Sequence, residues 1–413
     1  MRILTIDKFY FIKGGAERYY FELKRILEEH GHTVIPFSMV HPDNYDTPYS
    51  DYFVDHIEFN GLSTLRSIVE SPKIIGRILY SKQAKQGIKR LIDDTNPDIA
   101  HLHMIDHQLS PSILDVLRDA NIPVIQTLHQ YKHVCPSYRL FNTRTAQICE
   151  KCLDGHLWHP MVEKCHKDSI ISSALLVVEA YFHRWLRIYE NIDLFHAPSE
   201  FMRQKMISGG FSKEKIVKQY YTIRLSDYPF YQDFKDYLIY FGRLSEEKGL
   251  LNLLTAMKKV KRLKLLIVGD GPQCVELEKL ALKLGLNNVT FVGLKFGAEL
   301  KQLVSQSRFV VVPSLWYDNS PLVIYEAFAM GKPVIGSNIG GISELIDPGE
   351  NGYLFSPNDI ESLLSYINEL GRDNKKVRRF GQNARMKAEK EFNPTLHYQW
   401  IMNIYNELLD EKR

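Results

Sequence analysis

The chain of 413 residues contains no Asp-x-Asp pair, so the short motif that often holds Mg²⁺ or Mn²⁺ against a phosphate is missing. No Gly-x-Gly-x-x-Gly lies between its first apolar segment and the helical pattern that follows, which argues against a Rossmann-type oxidoreductase. Net charge is only +3, far from the basic excess of a nucleic-acid binder, and no nucleic-acid partner is expected. The first residues, MRILTIDKFY, show no basic stretch leading into an apolar run and a small-residue cleavage site, so a cytoplasmic protein is expected. The most apolar run, Ile170 to Val178, meets Glu179 well short of the roughly 20 residues that crossing a bilayer requires.

What remains is globular material, with 45% hydrophobic and 24% charged residues. Single cores stop growing at roughly 250 to 300 residues, so the length asks for two domains. Apolar segments at Ile3–Ile6, Thr33–Phe37, Ile99–Leu102, Val124–Leu128 and Leu194–Ala197 read as buried strands, spaced widely enough to hold helices between them. A second series runs through Leu238–Phe241, Leu265–Val268, Val289–Val292, Phe309–Val312 and Pro333–Gly336. That rhythm predicts an α/β protein of two doubly wound, Rossmann-like domains. They are placed at 1–225, with an irregular insertion at about 135–168, and at 226–392, followed by a terminal helix at 393–413 that packs back on the first domain. Asn393 caps that helix, Pro394 opens it, and Leu396, Ile401, Ile404 and Leu408 mark its buried side. Two such sheets leave a cleft at the carboxyl ends of their strands, where folds of this kind bind ligands.

Chemistry concentrates in two segments of the second half. Trp316–Pro333, WYDNSPLVIYEAFAMGKP, reads as a loop entering a helix, with Ser320 as cap and Pro321 in the first turn, so the N–H groups there form an anion site. Asp318 in the loop and Glu326 on the helix supply two carboxylates, each able to accept paired bonds from sugar hydroxyls on one extended ligand. Phe241–Gly249, FGRLSEEKG, sets Arg243 and Lys248 just past a strand, where they are the cations available to neutralise a departing diphosphate. Taken alone, either segment also fits a solvated cluster of charges.

The pairing of GRLSEEKG with WYDNSPLVIYEAFAMGKPVIGSNIGGISELI resembles glycosyltransferase family 4, of the GT-B fold. VGDGP at 268–272, VTFVG at 289–293 and NGYLF at 351–355 follow in that family's order, and the resemblance extends over nearly the whole chain. It implies a retaining, metal-independent hexosyltransferase whose two domains face a central cleft. It further implies a UDP- or GDP-linked sugar donor, a glycan or lipid-linked acceptor, and a place in cell-surface polysaccharide biosynthesis. By the same resemblance Arg243 and Lys248 bind the donor diphosphate and Glu326 its ribose, while Gly242, Asn319, Ser320, Pro321 and Leu322 line the donor. Asp318 stands where the family has a Glu on the transferred sugar, and is one methylene shorter. The pathway implied is front-face, with the diphosphate oxygen taking the acceptor's proton; it needs no catalytic cofactor, and no nucleophile and base pair is evident in the motifs.

In the first half, KGGAER at 13–18 sets Gly14 and Gly15 ahead of a helix, where bare N–H groups could meet a phosphate or hydroxyl, and it resembles the family's donor-contacting loop. TLHQY at 127–131 ends a strand near His129, a residue to which the resemblance gives a contact with the transferred sugar. His101 and His103 fall on one face of a strand and fit an acceptor-side or a structural role. Cys135, Cys149, Cys152 and Cys165 crowd into the insertion and suit either a structural Zn²⁺ or four reduced, buried thiols. The stretch from Lys164 to Tyr189 mixes Ile170, Val178, Tyr181 and Trp185 with Lys167, Arg184 and Arg187. It fits a helix covering the sheet, or a peripheral contact with the inner face of a membrane.

Two other readings compete. A different GT-B enzyme, an epimerase or a glucan phosphorylase, shares the fold, though the phosphorylase's cofactor-binding lysine motif is not evident. A carbohydrate-binding relative without activity would account for Asp318 and for the lack of a Pro-Asn-Gly-type turn near Tyr220.

Overall fold

Strands covered by helices on both faces need apolar side chains at every position, and the sequence supplies them as short unbroken runs. In the computed structural model, which describes residues 1–57, 72–166 and 168–412, these runs form two parallel sheets belonging to two compact units.

Unit 1 comprises 1–140, 149–219 and 395–413. Its strands are β1 (Arg2–Ile6), β2 (Thr33–Phe37), β3 (Ile99–Leu102) and β4 (Val124–Thr127). After the short antiparallel hairpin β5 (Phe141–Asn142) and β6 (Gln147–Ile148) come β7 (Leu194–Ala197) and β8 (Ile216–Lys218). The sheet runs β2-β1-β3-β4-β7-β8, all parallel, with Leu4 opposite both Ile35 and Ala100. Its winding reverses between β1 and β3, so the loops leaving those neighbours diverge and open a crevice at their carboxyl ends.

Unit 2 comprises 141–148 and 220–394. Its strands are β9 (Tyr237–Phe241), β10 (Lys264–Val268), β11 (Val289–Gly293), β12 (Phe309–Val312), β13 (Val334–Ser337) and β14 (Gly352–Phe355), in the order β11-β10-β9-β12-β13-β14. β9, β12 and β13 are buried at every residue, whereas the edge strand β11 is not. Here the reversal falls between β9 and β12.

Four helices matter for the sites: α1 (Gly15–Glu29), α2 (Ile170–Trp185), α3 (Leu322–Ala329) and α4 (Pro394–Lys412). α1 buries Tyr19, Tyr20, Leu23, Ile26 and Leu27 at helical spacing and ends before Gly31, whose φ of +79° suits glycine. α4 belongs to unit 1 from Thr395 onward and buries His397, Ile401, Ile404, Tyr405 and Leu408. Leu396 is a correction: it is 49% exposed, because the buried stripe starts one residue later at His397.

The other differences are local. β8 spans three residues and β14 opens on a glycine, so neither presents the apolar run that marks its neighbours. β13 starts at Val334 rather than Pro333, whose ring nitrogen has no proton for the ladder.

Candidate functional site

In unit 2 the adjacent strands β9 and β12 deliver the two motif loops to the same end of one sheet. The loops are locked together. Leu315 N donates to Glu247 O at 2.8 Å, and Gly249, at φ +68°, sits so close to Pro313 that an added Cβ would lie 2.0 Å from its carbonyl oxygen. Any side chain at 249 would push the loops apart.

Held this way, Lys248 Nζ reaches both oxygens of Asp318, at 2.8 and 2.9 Å. Ser314 Oγ donates to Asp318 Oδ2 at 2.6 Å, and the Lys248 ammonium lies 5.3 Å from the centre of the Trp316 ring. Asp318 is only 6% exposed, so the lysine supplies the counter-charge its burial demands. Its shortened side chain is therefore engaged with protein groups. The glycine pair after β13 completes the enclosure: Gly341 N donates to Asp318 O at 2.7 Å, and Gly340, at φ +58°, leaves no room for a Cβ against that same oxygen.

Arg243 lies on the β9 loop with an exposed side chain, while its carbonyl accepts the Tyr240 hydroxyl at 2.6 Å. Gly242 N donates to Val268 O at 3.0 Å and anchors the start of that loop. Glu326, 5% exposed on α3, accepts from the Tyr228 hydroxyl at 3.3 Å. Arg243 and Lys248 thus follow β9 and Asp318 follows β12, while Glu326 lies on α3, the next helix.

The helix start differs from the expectation. Pro321, at ψ 114°, is the N-cap and α3 begins at Leu322, which puts Ser320 one residue too early to cap. Its hydroxyl instead meets Tyr325 OH at 2.6 Å, and its N–H is taken by Asn319 Oδ1 at 2.7 Å. The N–H at 320 is therefore already used, and any anion site begins further along α3.

Unit 1 presents a different chemistry at its own reversal. The expectation of a bare N–H at Gly14 is corrected: Glu17 curls back and accepts it through Oε2 at 2.8 Å, while Gly15 opens α1. Asp7, immediately after β1, is buried near Glu17; burial and then the neighbouring carboxylate hold its pKa well above the usual range, and burial also raises Glu17. Neither residue stood out in the sequence, although Asp7 directly follows a strand where ligands bind.

His101 and His103 do share a face, with rings stacked at 4.8 Å and 9°. His103 Nδ1 lies 2.9 Å from His129 Nε2. Burial lowers all of these imidazoles, His101 and His103 far below their ordinary value and His129 to about 3, so they are neutral at physiological pH. Just past His129, Lys132 and Glu179 form a buried pair at 2.6 Å that ties the loop to α2. Burial alone would raise Glu179, but Lys132 and His107 pull it well below the carboxylate range. Sequence reading missed this pair because its members are 47 residues apart.

All four insertion cysteines are reduced. A hydrogen bond from Cys152 brings the Cys135 thiol down to about 6, and burial lifts Cys165 to about 12. Among the described residues no group of three or more His, Cys, Asp or Glu side chains is arranged to hold a metal ion. α2 covers unit 1 with Leu176, Val177, Glu179 and His183, while Ile170, Val178, Tyr181 and Trp185 (76%) form an exposed apolar stripe. Lys167 lies outside the described residues. No helix among the described residues is long and apolar enough to cross a membrane.

Comparison with known proteins fits this geometry. Residues 13–220 match the family model described as Glycosyltransferase Family 4, and residues 230–387 the model Glycosyl transferases group 1. The chain belongs to the GT-B glycosyltransferases. Among curated relatives, sulfoquinovosyl transferase SQD2 of Arabidopsis thaliana is 34% identical over 159 residues, 38% of this chain and 30% of that protein. The O-antigen chain mannosyltransferase C of Escherichia coli is 31% identical over 179 residues, 43% of this chain and 48% of that protein. The chain therefore matches less than half the length of either. The fold is shared across full length with the sucrose-phosphate synthase of Thermosynechococcus elongatus, at TM-score 0.70, 21% identity and 99% coverage of both chains. Anabaena HepE in complex with UDP has the same fold at TM-score 0.66 and 19% identity, covering 98% of this chain and 100% of that one.

Proposed function

We propose that this protein is a retaining, metal-independent glycosyltransferase that moves a hexosyl group from a UDP- or GDP-linked donor to a glycan or lipid-linked acceptor in cell-surface polysaccharide biosynthesis. The observation that carries the reading is Lys248, fixed at the β9–β12 reversal by Asp318, with Arg243 on the same loop. An ammonium already immobilised needs no reorganisation when negative charge develops on a leaving diphosphate, which is the condition for strong transition-state stabilisation. Lys248 and Arg243 take the diphosphate; Asp318, relieved of part of its lysine contact, accepts hydroxyls of the transferred sugar; Glu326 accepts the ribose diol. With both carboxylates of the unit 2 cluster engaged by donor hydroxyls, the acceptor's proton passes to the diphosphate oxygen that departs, and the new bond forms on the face the old one leaves. HepE's complex with UDP and the sugars named for the relatives support the donor class. The exposed apolar stripe of α2 supports peripheral contact with the inner face of a membrane carrying the acceptor.

Calorimetry against UDP-, GDP- and ADP-sugars in a chelating buffer tests the donor site, with micromolar binding of one donor expected without divalent ions. NMR of the product tests the stereochemistry. Dependence of binding on Mn²⁺, or a product of inverted configuration, would overturn the reading.

A further inference from the structure

A row of buried side chains in unit 1 allows protons to be placed from hydrogen-bond logic alone. His196 Nε2 lies 2.8 Å from Gln219 O, a carbonyl that can only accept, so Nε2 carries the proton and Nδ1 is a lone pair. Thr127 Oγ1, 3.0 Å from that lone pair, must donate to it. The Thr127 oxygen then accepts from His101 Nε2 at 2.7 Å, which leaves His101 Nδ1 to accept the Tyr405 hydroxyl at 2.6 Å. One carbonyl thus fixes every tautomer in the row.

His103, stacked on His101, is held differently. Its Nδ1 meets His129 Nε2 at 2.9 Å, but its Nε2 is buried without any hydrogen-bond partner among the described residues. The ring is 1% exposed, and the aromatic group edge-on to it, Tyr20 at 5.0 Å, has its hydroxyl bonded to Thr5 Oγ1 at 2.9 Å. Two arrangements satisfy the His103–His129 contact. If His129 donates, the His103 proton sits on Nε2 and a buried N–H has no acceptor. If His103 donates, only a bare lone pair is left there. Orphaned buried N–H groups are the rarer and costlier defect.

We infer that His103 is a positioning residue that donates through Nδ1 to His129 Nε2, fixing His129 as the Nδ1–H tautomer and filling the lone pair it would need to act as a base. With that lone pair filled, His129 is kept from serving as a base. The consequence for catalysis rests on the contact with the transferred sugar that the family resemblance gives His129; the tautomer assignment does not.

The test uses full-length enzyme labelled with ¹⁵N at histidine, whose long-range ¹H–¹⁵N spectra distinguish protonated from bare ring nitrogens. Wild type should show His129 protonated on Nδ1 and unprotonated on Nε2. His103→Phe keeps an aromatic ring but no donor, and should yield mixed His129 tautomers. His103→Asn, with an amide N–H₂ near the place of Nδ1–H, should restore the single form. Turnover should follow, falling about tenfold in His103→Phe with donor Kd unchanged and recovering in His103→Asn. A wild-type His129 protonated on Nε2, or a tautomer unmoved by His103→Phe, overturns the inference. A shifted tautomer with unaltered turnover would instead count against the contact between His129 and the sugar.

Discussion

All 15 histidines of the chain lie in unit 1, and unit 2 has none. Both units are six-stranded parallel sheets with one winding reversal, so topology gives each a ligand crevice. What fills them is opposite in kind. Unit 2 sets permanent charges at its reversal, with Lys248 on Asp318 and Arg243 on the same loop as Lys248. Around its own reversal, unit 1 gathers groups that burial drives toward their uncharged forms: His101, His103 and His129, with Asp7 and Glu17 pushed toward protonation. The fold decides where a site is, and whether its buried groups meet a counter-charge decides whether it is ionic. A leaving diphosphate calls for the first environment, and a sugar to be held by directed hydrogen bonds for the second.

The contrast breaks most visibly at Lys248. Lys248→Met should lower kcat/KM by about 10³-fold, the scale of removing a fixed charge from a developing anion. Calorimetry should show nucleoside diphosphate weakened far more than free nucleoside. Equal losses for the two would mean that the lysine only shapes the loop. A matching Asp318→Asn variant separates the roles, since it frees the ammonium but keeps it.

Acid should sharpen the contrast next. His133 and His196 are each lowered to about 4 and His129 to about 3, burial being the main cause in each. An unfolded chain binds these protons below about pH 6.5 while the folded unit 1 refuses them. Stability is then complete above that pH and is lost as pH falls toward 4, by on the order of 2 kcal/mol per histidine at pH 5. Asp7 and Glu17, with raised pKa, contribute in the opposite direction, but more histidines than carboxylates are shifted at this end of unit 1. Hydrogen exchange read by mass spectrometry should show unit 1 peptides losing protection between pH 7 and 5 while unit 2 peptides hold. Parallel loss in both would refute a difference rooted in histidine.

The same contrast explains what the sequence made legible. Unit 2's site is built from residues close along the chain: Arg243 and Lys248 share one loop, Asp318 the loop after β12 and Glu326 the helix that follows, and β9 and β12, which lead into those loops, are unbroken apolar runs. Local spacing therefore reads it well. Where local reading failed, a tertiary partner intervened, as Tyr325 did for the Ser320 hydroxyl and Glu17 for the Gly14 N–H. Unit 1's polar groups pair across 47 residues at Lys132–Glu179 and 304 at His101–Tyr405, and no periodicity encodes such pairs. Alternation did predict that His101 and His103 share a face, because that is a property of the strand itself.

The smallest expected effect lies at the end of the histidine row. Tyr405→Phe leaves the ring of α4 in place and removes only the hydroxyl that donates to His101 Nδ1. A buried acceptor then goes unsatisfied, at a cost of about 1–3 kcal/mol. For a domain of this size that is a fall of roughly 2–4 °C in unfolding temperature for each kcal/mol, readable by calorimetry. The fall should be confined to unit 1 peptides in exchange measurements and should leave nucleoside diphosphate affinity unchanged, because every partner in the row from Tyr405 to Gln219 belongs to unit 1. Should donor affinity drop as well, α4 would be acting on the charged site too, and the division between an ionic unit and a neutral one would no longer describe how the chain works.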